Sequence, residues 1–504
     1  MLASSGSFAV IPGYDSSYAP YAGFNSSTLA TNLSGDAGYV NTPLTPGDRV
    51  YLNGSEGLPA GSYTLLPARY ALLPGAFLVT PKSGTPGGTV SQPDKSNLVA
   101  GYRFNESNPG GQNELMSSFE VAPLSVVRQR AQHDNFTATA FFREVAANSD
   151  TAPPRLPVDG GQLVLTAAQN LAFSGSLSAL APTGGKGGLV DISSPLDIVI
   201  AGANVPSAPD KLTLRSADLS SFNAQSLLIG GVRRTGFGGT AVSVKTSSLT
   251  VDNAGAPLTG EDIILVSNGS LTIKEGSVIS QNGTSPVDSL LFGDAAQPGS
   301  GNGTLLRLSG DKEARVTRRG ITAAAGPSLA VESNVELRGT SLILDSTAAT
   351  LLDPAARLRS SAISLNSGRI SLALDGAGAL PADSGLILTG GALADLQSAQ
   401  TLSRLSFLSY SSLDIFGTGQ VGQADAQSLE LHAAQIRGFN NAGGTVTFAA
   451  QNILVDNSAA GAVPGAVSPA SGSLAFDGKV IRLGVNDVRM DQFLDLKLRA
   501  SSGI

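Results

Sequence analysis

From residue 161 onward the chain repeats one local pattern: three to six residues of alternating apolar and polar side chains, ended by Gly, Asn, Asp or Ser. GQLVLTA (161–167), GGLVDIS (187–193), LDIVIAG (196–202), SLTVDN (248–253), SGLILTGG (384–391), QSLELHAAQIRGF (427–439) and SLAFDGKVIRLGVND (473–487) are examples. A period of two predicts strands. Helical stretches long enough for crossovers are missing, so this is not a βαβ fold. Two-residue Asn-Gly turns between long strands are scarce, which argues against a meander.

The spacing of the strands adds a second regularity. SLTV at 248 and SLTI at 270 lie 22 residues apart, SLIL at 341 and AISL at 362 lie 21 apart, and SGLI at 384 follows 22 later. A loose period near 20 residues, carried by Leu/Val/Ile pairs, predicts an all-β fold of the parallel β-helix or solenoid kind. Coils would stack at about 4.8 Å, with inward aliphatic side chains in columns. Gly and Asn would supply φ > 0 at corners, and outward positions would need only the solubility of Ser, Thr and Asn. About 350 residues at about 21 per coil predict 16 or 17 coils, a rod of roughly 80 Å.

Before residue 155 the pattern differs. GYDSSYAPYAGF (13–24) and LTPGDRVYLNGSEGLPAGSY (44–63) are rich in Pro, Tyr, Asn and Gly. RVYLN (49–53) and AFLVTP (76–81) read as strands. In APLSVVRQRAQHDNF (122–136), Leu124, Val127 and Ala131 have helical spacing, which predicts a short helix near 122–132 before FTATAFFREV returns to strand. The prolines of SDTAPPRLPVDG (149–160) mark a boundary. The organisation read here is an irregular β-rich region, 1–155, that packs on or caps a solenoid, 156–504, which continues past the C-terminal end.

YTLLPARYALLPGA (63–76) says Tyr-x-Leu-Leu-Pro twice, seven positions apart. A helical heptad fails, because Pro67 and Pro74 would each break it. Each copy reads as a short extended piece ending in a bend, with Tyr63 and Leu65 on one side of the backbone and Leu66 on the other. Leu65, Leu66, Leu72 and Leu73 would be buried against a face or end of the solenoid. Arg69, beside Tyr70, would lay its stem over apolar surface, and Gly75 would make a turn.

Composition narrows the class. Charged residues are 14% of 504, against about 25% in average globular proteins. Hydrophobic residues at 41% argue against disorder. The net charge of −7, without a basic stripe, argues against nucleic-acid binding. No run of 18 apolar residues stands in the chain for a membrane-spanning helix. MLASSGSFAVIPGY lacks the basic start and apolar run of a signal peptide. Both ends read as cuts within a longer protein. Cysteine is absent, which removes disulfides, Cys-zinc sites and thiol catalysis and favours export.

On LPAGSYTLLPARYALLPGAFLV (58–79) and the Leu/Ile/Val coil pattern of 160–490, the chain resembles filamentous-haemagglutinin-type exoproteins of two-partner secretion. The resemblance implies a right-handed β-helical filament, secreted or displayed on a bacterial surface. It implies export through an outer-membrane barrel transporter, and adhesion to host cells, matrix, glycan surfaces or other bacteria. No cofactor is implied. The family's amino-terminal secretion domain and an Arg-Gly-Asp adhesive tripeptide are missing from this sequence.

Catalysis finds little support in the residues. His133 and His432 are the only histidines and read as surface or turn residues, and no Gly-x-Ser-x-Gly elbow accompanies them. A β-helical polysaccharide lyase or hydrolase, the rival reading, needs carboxylates gathered in one groove. Asp191 and Asp197 read as charges on a solvated coil, and Asp345 and Asp353 as turn residues. GGKGGLVD (184–191) is a single poor match to a calcium-binding repeat, and RVTRRG (315–320) reads as a solvated basic corner. The expectation is a non-enzymatic, cofactor-free adhesin segment, with a passive stalk of a toxin-delivering exoprotein as a further alternative.

Overall fold

Aliphatic positions of the repeated pattern meet their counterparts side by side in parallel strands. In the computed structural model Leu249 pairs with Leu271, and Leu271 with Leu329. The 22-residue and 21-residue spacings are register, since Ser248 stands beside Ser270 and Ser341 beside Ala362. The structure describes residues 6–14, 44–84, 87–103, 116–130, 137–154, 158–171, 173, 177–236, 239–285, 288–322, 326–381, 385–398, 402–441, 443–461, 465 and 471–504. The chain is mostly β, 50% strand and 9% helix, with several parallel sheets. It divides into two compact units, Met1–Leu156 and Pro157–Ile504.

In the second unit twelve strands stand in line in the main sheet, from Gln162–Thr166 to Asp495–Gly503. One inward column runs through Val190, Leu227, Ile263, Leu308, Leu342, Ile363, Leu405, Leu429, Ile453 and Ile481, each beside the next. Every member is buried. A six-stranded and a five-stranded parallel sheet face this column and contribute Ile198, Leu249, Leu271 and Leu329, then Ile370, Leu413 and Ile436. Residues from all three sheets form one hydrophobic core. Each buried Leu or Ile contributes about 1.5–3 kcal/mol against exposure, so the interior is a sum of small, repeated terms.

Several expectations are corrected. Twelve strands at about 4.8 Å span roughly 50 Å, not 80 Å. The difference is chain spent outside the ladder, including the helix Gly390–Ser398 and a separate four-stranded sheet. The link to SGLI at 384 fails: Leu386 stands beside Ile370, while the neighbour of Ala362 is Arg404. Thr304–Ser309 runs antiparallel between Asp262–Ser267 and Glu336–Ser346. Gly231–Gly236 and Gly239–Val244 form a hairpin. Gly230 turns the chain into that hairpin at φ +98, where a Cβ would lie 1.9 Å from the Val266 carbonyl oxygen.

The first unit is more regular than its composition suggests. It holds an eight-stranded sheet in which all pairs are antiparallel, including Arg49–Leu52 and Phe77–Lys82. The expected helix is Leu124–Arg130. FTATAFFREV does not return to strand: Ala138–Asn148 is a helix, begun by Thr137, whose hydroxyl accepts from the Ala140 N–H. The cap outweighs the β-propensity of Thr and Phe. Most of GYDSSYAPYAGF, from residue 15 on, lies outside the described residues.

The doubled phrase splits into two structures. Tyr63 lies in the strand Gly61–Thr64, and Leu66–Pro67 pairs with Ala9 and Phe8. Leu65 enters a core with Tyr63, Val50, Leu52, Val79 and Val99. Leu66 packs on the other side, with Ala9, Ala122 and Val127. These partners belong to the first unit's own sheet and helix. The second copy is a 3₁₀ turn, Ala68–Leu72, entered from Pro67 at φ −50. There Leu72 is half-buried, Leu73 is 45% exposed, and Pro74 and Gly75 (φ +78) are exposed. Joint burial of four leucines is therefore corrected to two. The second copy has no strand edge to pair with, so it coils. Arg69 rests its guanidinium 5.2 Å from the centre of the Tyr70 ring.

Identical phrases should respond differently to truncation. Leu66→Ala is expected to cost about 2–5 kcal/mol, and Leu73→Ala, at the equivalent position, less than about 0.5 kcal/mol. Urea unfolding of the full chain, followed at the first unit's tyrosines, checks this; equal losses would reject the assignment.

Candidate functional site

Side chains pointing away from the interior of the main sheet change character along it. One outward column reads Leu228, Ile264, Arg307, Ile343, Ser364, Ser406, Glu430. The next reads Val266, Leu305, Asp345, Asn366, Leu408, His432, Asp456. Both begin mainly apolar, Arg307 excepted, and turn mainly polar, the first after Ile343 and the second from Asp345 on, with Leu408 the exception.

The apolar stretch is covered. Gly231–Gly236, Gly239–Val244, Ser289–Phe292 and Arg315–Arg318 form a four-stranded sheet. Its Val242, Leu290 and Phe292 pack on Leu228, Ile264, Val266, Leu305 and Ile343. The expectation that outward positions need only solubility fails here, because a second layer makes the outer face of four of the twelve strands into core.

Buried ion pairs fasten this cover. Asp191, fully buried, accepts from the Arg233 Nε (2.6 Å) and backbone N–H (2.8 Å) and from Gln162 Nε2 (2.9 Å). Arg233 donates to Ser226 Oγ, Ser226 donates to Asp262, and Arg307 binds Asp262 (2.9 Å) while donating to the Asp288 carbonyl. At the far edge Arg318 Nε donates to Asp345 (2.5 Å), which also accepts from Asn366 (2.8 Å) and Tyr410 (2.6 Å). Burial, then the Asp345 charge, raises the Tyr410 hydroxyl well above its ordinary range. Such pairs are tolerated because both the charge and the remaining lone pairs are matched.

Where the cover sheet stops, a cleft of about 160 Å³ opens. Arg315–Arg318 forms one wall, and Ser364, Asn366, Ser406, Leu408, Glu430 and His432 form the floor. Arg404 reaches from the floor to Glu313 (2.9 Å) and the Lys312 carbonyl (2.6 Å). His432 Nδ1 lies 2.5 Å from Asp456 and 3.0 Å from Ser458 Oγ, while Nε2 lies 3.5 Å from Glu430. Burial pushes the imidazole pKa down, but the hydrogen bonds and charges of Asp456 and Glu430 outweigh it and raise it to about 9. Burial raises Glu430 and Asp456, yet His432 holds both below the usual carboxylate range. Ser458 and Asp456 share one ring nitrogen, so this is not the relay of a hydrolase, in which nucleophile and acid take opposite nitrogens.

Several sequence readings change. His432 is buried on a strand, not at a surface turn; His133 lies outside the described residues. Asp191 and Asp345 are buried ion-pair members, whereas Asp353 is the expected turn residue, accepting from the Ala355 N–H (2.8 Å). In RVTRRG, Arg318 is buried and Arg315 exposed. The doubled phrase contributes nothing to the cleft lining. A readable signal is a single charge beside aliphatic residues, in LVDIS (Asp191), LLRLS (Arg307) and LILDS (Asp345), and again in SLDIF and QIRGF, whose Asp414 and Arg437 form another buried ion pair (2.6 Å). Among the described residues no cluster of three or more His, Cys, Asp or Glu has the makings of a metal site. No protein-family model, curated protein or solved structure matches the chain.

Removing one partner of a buried pair leaves a bare charge. Asp345→Ala should cost about 3–5 kcal/mol, and Asp345→Leu with Arg318→Met should recover most of it; chemical denaturation reads both. His432 gives a pH signature. Its folded pKa lies above the unfolded value, so its contribution is full below about 6.5 and lost as pH rises through about 9. His432→Gln should therefore be less stable than the parent at pH 6.5 and equal to it at pH 10, measured by unfolding at each pH.

Proposed function

We propose that the chain is a segment of a large secreted or surface-displayed filamentous adhesin, and that its second unit is a β-helix serving as an elongated scaffold for attachment. The observation that carries this reading is the inward column of in-register aliphatic residues, parallel throughout except at the single antiparallel strand that carries Leu308. Consecutive strands alternating between facing parallel sheets, as Ser328–Val331, Glu336–Ser346, Ala349–Leu352 and Arg357–Ser367 do, are what successive coils of a solenoid supply. The haemagglutinin-like phrase at 58–79 supports export through an outer-membrane barrel transporter. It also supports host-cell, matrix or glycan surfaces as partners. A long face of repeated units suits multivalent contact, in which many weak bonds add.

The polysaccharide-degrading alternative is less well supported by the cleft. A glycosidase requires one carboxyl held protonated, whereas Glu430 and Asp456 are both pulled toward the ionised state by His432. Beads coated with the full chain should bind epithelial cells, extracellular matrix or bacterial surfaces saturably, and free chain should compete. Retention no greater than albumin-coated beads on all three would overturn the adhesin reading. New reducing ends or unsaturated sugars from a polysaccharide panel would replace it with the enzyme reading.

A further inference from the structure

The covering sheet ends in an edge strand that walls the cleft. Its order is Gly231–Gly236, Gly239–Val244, Ser289–Phe292, Arg315–Arg318, and the last strand has one pairing partner among the described residues. The Arg319 N–H donates to the Phe292 carbonyl, which turns residues 317 and 319 toward that partner. Backbone groups alternate along a strand, so the amide and carbonyl of Val316 and Arg318 face the cleft. Among the described residues no hydrogen bond reaches the backbone of Val316 or Arg318 from that side. An open edge of this kind is a template for another strand.

The floor of the cleft tells what sort of strand fits. Under the permanent cover the floor is Leu228, Ile264, Val266 and Ile343, and the strands above answer with Val242, Leu290 and Phe292. Over the next two strands the floor is Ser364 and Asn366, then Ser406 and Leu408. An apolar floor would be costly to leave uncovered in water. A floor of hydroxyls and an amide with one half-buried leucine costs much less to leave uncovered, so it suits a strand that comes and goes.

We propose that the Arg315–Arg318 edge receives an extended peptide segment of a partner protein as a fifth strand of the covering sheet, by β-strand addition. The guest's amides and carbonyls pair with Val316 and Arg318, and its floor-facing side chains are small and polar, such as Ser or Thr. Arg404, tied to Glu313 and Lys312, closes one end of the cleft. This inference rests on the sheet edge and the floor, and it stands whether or not the chain is an adhesin.

The probe is the acetylated, amidated peptide Ser-Thr-Val-Thr-Val-Ser, in excess over the full chain, with amide hydrogen exchange as the readout. Exchange in the segment 315–319 should slow at least ten-fold. The same peptide N-methylated at alternate amides, which lacks donors along one edge, should have no effect. Ser406→Trp fills the floor from a different strand and should abolish the slowing, with thermal unfolding confirming that the variant is folded. Should that variant fail to fold, Ser364→Gln provides the same test with a smaller intrusion. Unchanged exchange with the parent peptide, equal protection by the N-methylated peptide, or protection that persists in the folded floor variant would each overturn the proposal.

Discussion

Everything in the second unit depends on like sitting beside like at the spacing of hydrogen-bonded strands. Val190 to Ile481 is one column because each strand holds its neighbour in register. A shift of one residue would exchange every inward aliphatic for an outward residue. Where the outward residue is Asp191, Asp345 or Glu430, that exchange would carry a carboxylate into the interior, a cost of several kcal/mol without a partner. The charged outward positions thus oppose the wrong register while the aliphatic positions favour the right one.

The covering sheet rests on this frame and adds a second kind of specificity. Its apolar middle would tolerate some sliding, but Asp191–Arg233 at one edge and Arg318–Asp345 at the other tolerate little. Hydrogen bonds from Gln162, Ser226, Asn366 and Tyr410 complete the acceptor sites. Among the described residues Arg318 Nη2 is left without a partner, but the carboxylates are fully engaged, and networks of this kind favour one arrangement over near alternatives. The cleft exists because that arrangement stops at Arg318 while the main sheet beneath continues.

Legibility in the sequence followed the same division. Periodic pairs such as Ser248-Leu249 and Ser270-Leu271 could be read because the side chains that repeat are the ones that touch. The covering sheet was not legible, since Leu228 and Ile264 look like any other apolar residue and their partners lie in inserted segments of irregular length. Asp191 and Asp345 misled because an acidic residue near a turn is usually solvated; only their aliphatic neighbours gave the contrary hint. His432 was hidden for the same reason, its partner Asp456 standing one strand away and 24 positions along the chain. In the first unit the repeated phrase was legible as an oddity, but not the fact that Phe8–Val10 offers a pairing edge to one copy alone.

A stack of rungs also behaves distinctively under mechanical load. Away from the covering sheet, each strand is held to the next by its own few backbone bonds and one layer of aliphatic contact. Tension on a terminal strand would peel rungs singly, in sawtooth steps, each step reporting the strength of one interface. The antiparallel insertion Thr304–Ser309 interrupts that series between Asp262–Ser267 and Glu336–Ser346. It is joined there to the Asp262–Arg307 pair, so it would act as a latch at which peeling pauses.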